Sequence, residues 1–121
     1  MRVSGIKLNN TLKAQLIKTL AQVISDLKTP EEALLFIKDF YTESELEGFA
    51  KRLAIAYWLK KGRNYDNIQN NLKISSATVS AMTKTMKKEG FEKALKLIEA
   101  EEWANKWLEK IKKLKILTRA D

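Results

Sequence analysis

Residues 65–86 read YDNIQNNLKISSATVSAMTKTM, two short helical stretches on either side of a break at Lys73–Ser75. Asn64 stands where it can cap the first stretch, Tyr65–Leu72. Ser75 or Ser76 can cap the second, which is expected to run to about Lys88, with Gly90 as its stop. A helix-turn-helix needs apolar residues where its helices cross and where the turn tucks beneath them. Ile68, Leu72, Ile74, Val79 and Met82 fall at those positions. The outer side of the second helix is then Ser76, Ala77, Thr78, Ser80, Ala81 and Lys84. Short side chains allow close approach to base edges, and hydroxyls can donate or accept there. An ordinary αα-corner with a Ser/Thr-rich start shares part of this pattern, so charge has to discriminate.

Charge favours the DNA reading. The net charge is +8, from 23 Lys+Arg against 15 Asp+Glu, and it is segregated. Residues 30–50 carry Glu31, Glu32, Asp39, Glu43, Glu45 and Glu47 against Lys38, net −5. Residues 60–88 carry Lys60, Lys61, Arg63, Lys73, Lys84, Lys87 and Lys88 against Asp66, net +6. One basic working face explains this better than uniform solubilisation. The candidate DNA-contacting set is Arg63, Tyr65, Lys73, Ser75, Ser76, Ala77, Thr78, Ser80, Ala81, Lys84, Lys87 and Lys88. Two positions depart from the general motif. Its turn residue is left-handed and usually Gly, but here it is Lys73, at a cost on the order of 1 kcal/mol. A small residue is usual where Gln69 stands.

The period is helical on both sides of this segment. Leu12, Leu16, Ile17, Leu20, Val23, Ile24 and Leu27 form one stripe. Thr29-Pro30-Glu31-Glu32 supplies an N-cap, a first-turn proline and a capping-box Glu. The helix it opens, Ala33 to Tyr41, is apolar nearly all round and is expected to be buried on several sides. A second box, Thr42-Glu43-Ser44-Glu45, starts a helix with the stripe Leu46, Phe49, Ala50, Leu53 and Tyr57, ended by Gly62. From Phe91 to about Ile116 there are two stripes, Phe91, Ala94, Leu95, Ile98 and then Trp103, Trp107, Ile111, Leu114, out of phase with each other. A bend or a change of packing partner is expected at Glu99–Glu102. The sum is an all-α chain of about six helices.

Composition narrows the chemistry. A chain of 121 residues is the size of one domain, and 45% hydrophobic content suffices for a core. Only 4 Gly and 1 Pro count against a turn-rich β fold. With no Cys there is no disulfide, thiolate nucleophile, iron–sulfur cluster or zinc finger. With no His, the commonest general base and metal ligand are gone too. No enzyme activity, cofactor or metal is expected. Glu99, Glu101 and Glu102 read as a charge run on a helix surface. The longest apolar run, Leu53–Leu59, is far below the roughly 18 residues that span a membrane. Residues 1–10 lack the apolar core of an export signal, so a cytoplasmic protein is expected.

From about Thr11 to about Ile98 the chain resembles the Trp repressor superfamily, and more closely its YerC/YecD-like branch. The resemblance is carried by Thr42-Glu43-Ser44-Glu45, Ala50-Lys51-Arg52-Leu53-Ala54-Ile55-Ala56, Leu59-Lys60-Lys61-Gly62 and above all Ser76-Ala77-Thr78-Val79-Ser80, at kept spacings. It implies a helical domain over residues 1–98, with the helix-turn-helix at about 64–88; residues 99–121 read as a basic helical extension, and the tail from about Trp103 lies outside the resemblance. It also implies an intertwined homodimer presenting two such motifs to a pseudo-palindromic double-stranded operator. In tryptophan-binding members the indole lies between two arginines, with a threonine at the start of the long helix. Thr42 and Arg52 match that threonine and the first arginine and are the candidate ligand-pocket residues. Ala81 stands in place of the second arginine, followed by Met82. Without its cationic fork a carboxylate is poorly held, so tryptophan is not expected to act as co-repressor. The rival reading is a non-catalytic helical interaction module using its basic face on an acidic partner.

Overall fold

The computed structural model describes residues 5–119, with side chains through residue 115. All regular structure among them is helical: α1 (Asn10–Asp26), α2 (Pro30–Phe40), α3 (Glu43–Lys60), α4 (Tyr65–Leu72), α5 (Ser76–Thr85) and α6 (Glu89–Arg119). None of these helices is long and apolar enough to cross a membrane. The chain forms two compact units that divide between Leu46 and Glu47.

Local capping fixes the helix starts of the first unit. The Asn9 side chain accepts from the N–H groups of Thr11 and Leu12, at 2.9 and 3.2 Å. Thr29 Oγ1 accepts from the Glu32 N–H at 3.1 Å, and Pro30 opens α2. The Glu32 carboxylate reaches back to the Lys28 N–H at 2.9 Å, one residue earlier than a capping box has it. At α3 the box is reciprocal. Thr42 Oγ1 accepts from the Glu45 N–H at 3.1 Å, and Glu45 Oε1 accepts from the Thr42 N–H at 2.9 Å. The Thr42 backbone N–H, and then its side chain, hold the Glu45 carboxyl below its usual range.

Burial in this unit differs from the expectation for α2. Neither α1 nor α2 has a buried residue, and Leu35 is 66% and Phe40 56% exposed. The apolar pattern specifies a face that prefers cover, but not which surface supplies it. Two helices cannot bury apolar faces that look several ways.

The second unit carries the core. Its buried side chains are Ile55 and Ala56 of α3, Ile68 of α4, Val79 and Met82 of α5, and Leu95 of α6. Leu72, Ile74, Phe91 and Ile98 pack against them. The expected α3 stripe is therefore not the buried one, since Phe49 and Leu53 are exposed. The helix-turn-helix covers the last turns of α3, where Ile55 and Ala56 lie. Gly62, at φ 83°, ends that helix. Its N–H reaches the Leu59 carbonyl and the Arg63 N–H the Trp58 carbonyl, both at 3.0 Å, a Schellman turn.

Asn64 caps α4 by accepting from the Asn67 N–H at 2.8 Å, as its sequence position implies. Lys73 closes α4 at φ 57°, ψ 54°, the left-handed conformation expected of the motif's turn residue. Replacing Lys73 by Gly should therefore raise the melting free energy by up to about 1 kcal/mol, offset in part by glycine's freedom in the unfolded chain. Thermal unfolding at fixed salt measures this, and a fall in stability would contradict the strain.

Two boundaries need correction. Helix α5 ends at Thr85 rather than near Lys88, and Gly90 does not stop it. Gly90 lies in the first turn of α6, which Glu89 opens after a turn at Met86–Lys88. Helix α6 then runs unbroken for 31 residues, so Glu99–Glu102 holds no interruption.

Candidate nucleic-acid interface

Helices α4 and α5 are held together from beneath. Ile68 and Val79 are fully buried at their crossing, Met82 nearly so, and Leu72 and Ile74 fill the turn. This fixes which side of α5 faces outward. Arg63, Tyr65, Lys73, Ser75, Ser76, Ala77, Thr78, Ser80, Ala81, Lys84, Lys87 and Lys88 are all exposed. The α5 N-terminus has no acidic residue in its first turn, so its free N–H groups and dipole keep a positive field there. Ser75 caps it, accepting from the Thr78 N–H at 3.2 Å. The Ser75 and Thr78 hydroxyls also share a hydrogen bond of 2.9 Å, which orients both at the tip of the helix.

The cations of this region divide into two groups. Lys60 and Lys61, at the end of α3, are turned to internal use: Lys60 Nζ lies 3.1 Å from Glu99 Oε1 and Lys61 Nζ 3.3 Å from Glu102 Oε2. Part of the positive charge counted over residues 60–88 is thus neutralised by α6. Two members of the Glu99–Glu102 charge run are docking contacts rather than idle surface. Lys73, Lys84, Lys87 and Lys88 have no ion pair among the described residues. Arg63 is held in place, its guanidinium carbon 4.2 Å from the centroid of the Trp58 ring and Nη1 3.4 Å from Asn67 Oδ1. Sequence reasoning missed Trp58 and Asn67 as its supports. The Arg63–Asn67 spacing of four residues was a usable signal, whereas the Trp58 contact depends on the turn at Gly62.

A cleft of about 450 Å³ opens between α3 and α5, lined by Arg52, Ala77, Thr78, Ala81, Met82 and Thr85. Arg52 is the one cation among the described lining residues, and its guanidinium carbon lies 5.7 Å from the centroid of the Phe91 ring. Ala81 offers no donor from α5. The Thr42 hydroxyl is committed to the cap of α3.

The Trp repressor protein family matches residues 15–100. The uncharacterized protein YerC of Bacillus subtilis is 31% identical over 75 residues, covering 62% of this chain and 72% of its own length. The crystal structure of a TrpR-like protein from Eubacterium eligens matches with a TM-score of 0.67 at 29% identity, over 75% of this chain and 96% of that one. With six helices in order among the described residues, a helix-turn-helix closed by a left-handed residue and a family match over most of its length, the chain belongs to the Trp repressor protein family.

Proposed function

We propose that this protein is a sequence-specific, double-stranded DNA-binding transcriptional regulator of the repressor type, and not an enzyme. The observation that carries the proposal is the outer face of α5, which presents Ser76, Ala77, Thr78, Ser80, Ala81 and Lys84 over a buried Ile68–Val79–Met82 support. Short and hydroxyl side chains suit the major groove, and Arg63, Lys73, Lys84, Lys87 and Lys88 suit the flanking phosphates. Residues 1–98 form the regulator domain and 99–121 a basic extension. The named relatives are bacterial, and in a bacterial cell a regulator acting on genomic DNA works in the cytoplasm.

The working form is a homodimer. Burying one exposed Leu, Ile or Phe side chain is worth about 1.5–3 kcal/mol. The first unit leaves Leu12, Leu16, Ile17, Leu34, Leu35 and Phe40 exposed. A second copy covering these faces supplies the missing core and pairs two recognition helices for a pseudo-palindromic operator.

Tryptophan is not the effector. A carboxylate in the α3–α5 cleft would meet Arg52 but find Ala81 and Met82 where a second cation is needed. Added L-tryptophan should leave duplex affinity unchanged within about twofold, a shift under about 0.5 kcal/mol. A clear tryptophan-dependent gain would overturn this reading of the cleft. The function itself is tested by duplex binding across a salt series, with random-sequence DNA and heparin as competitors. A steep salt slope with a strong preference for particular duplexes is expected. Equal binding to every polyanion would favour an interaction module instead.

A further inference from the structure

The two apolar stripes of α6 serve different surfaces. Phe91, Leu95 and Ile98 pack on the core of their own unit. Ile98 and Trp107 are nine residues apart, half a turn out of phase at 3.6 residues per turn. Because α6 is unbroken, the second stripe, Trp103, Trp107 and Ile111 continued by Leu114, faces away from that core. Trp103 is 64% exposed and Trp107 48%. The two indoles already lie edge to face, centroids 5.7 Å apart, with Lys110 Nζ 5.6 Å from the Trp107 ring. An exposed, mutually packed tryptophan pair of this kind marks a docking surface. The family match stops at residue 100, so the surface is not part of the shared domain.

Charge identifies the occupant. Around the stripe the acidic residues gather at its start and the basic ones at its end: Glu99, Glu101 and Glu102 precede Trp103, Lys110, Lys112, Lys113 and Lys115 flank the end, and Lys106 and Glu109 offset each other between them. A parallel pair of such helices sets lysines against lysines. An antiparallel pair sets the basic end of each against the acidic start of the other. Lys60 and Lys61 each engage one carboxylate oxygen, of Glu99 and Glu102 respectively, and Glu101 has no ion pair among the described residues. We propose that the C-terminal half of α6 docks antiparallel on the same segment of a second copy, the two helices crossing near Trp107. The contact is self-complementary about one two-fold axis. It stands whether or not the helix-turn-helix reads DNA.

The chain contains no Cys, so introduced thiols are unique reporters. Ala100→Cys, Leu114→Cys and the double variant are treated, as full chains, with a short bismaleimide. Within one helix the two positions are about 21 Å apart, beyond its reach. Antiparallel pairing brings position 100 of one copy near position 114 of the other, while like positions stay about 21 Å apart along the axis. The double variant should give a covalent dimer on a denaturing gel, and neither single variant should. Adding Ile111→Glu to the double variant should remove the dimer band without changing helix content or duplex binding. No cross-link in the double variant, equal cross-linking by the singles, or a band insensitive to Ile111→Glu would overturn the pairing. Duplex binding by the same variants reports separately on the regulator reading.

Discussion

Replacing Ile68 by Ala should destabilise the second unit by about 2–5 kcal/mol, the range for removing a fully enclosed aliphatic side chain. Ile68 is 0% exposed and lies in one cluster with Ile55, Val79, Met82 and Leu95. The loss combines the transfer free energy of the missing carbons with the cavity they leave. A domain of this size is stable by only about 5–15 kcal/mol, so the change is a large fraction of the total. The helix-turn-helix depends on Ile68 directly, because that side chain separates α4 from α5. Circular dichroism during heating should show a melting point lower by more than about 8 °C, with duplex binding lost at the assay temperature. Leu97→Ala, at a position 72% exposed, should stay within about 0.5 kcal/mol of the parent. An Ile68→Ala protein melting with its parent would mean that the buried cluster does not hold the motif.

The second large effect separates reading from holding. Replacing Thr78 by Gln should weaken binding to the preferred duplex by about 1–3 kcal/mol and leave non-specific binding nearly unchanged. The substitution puts a longer side chain at the tip of α5 and removes the hydroxyl bond to Ser75. Ser75 keeps its bond to the residue-78 N–H, so the cap and the helix survive. Lys84→Ala or Lys87→Ala should instead weaken binding to every sequence and lower the salt slope by about one per lost phosphate contact. Binding isotherms against preferred and scrambled duplexes give both quantities. Equal losses for Thr78→Gln on both, with the fold intact, would mean that α5 touches DNA without reading it.

The helix-turn-helix was legible because its determinants are local. Asn64, Ser75 and the spacing of Ile68, Val79 and Met82 each act within a few residues, and the left-handed turn at Lys73 follows from the motif's geometry. Burial of α2 is not met within one chain, because periodicity ranks faces but does not name the surface opposite, and Phe40 is exposed there. The end of α5 was misplaced because Gly90 looks like a stop, although nothing prevents glycine from adopting helical angles in the first turn of α6. The pairing of Lys60 with Glu99 and Lys61 with Glu102 joins residues about forty positions apart, beyond any local pattern. The out-of-phase stripes of α6 were visible, and an unbroken helix turns that mismatch into a second face.

The central claim, that paired copies use α5 to read base sequence, is tested most directly by selecting bound duplexes from a random pool at physiological salt. The account predicts enrichment of a dyad-symmetric motif with half-sites about 10 base pairs apart, centre to centre, the separation of successive major grooves on one face of DNA. A bound pool with no enriched sequence, retained only at low salt, would contradict it and leave a basic surface that holds polyanions without reading them.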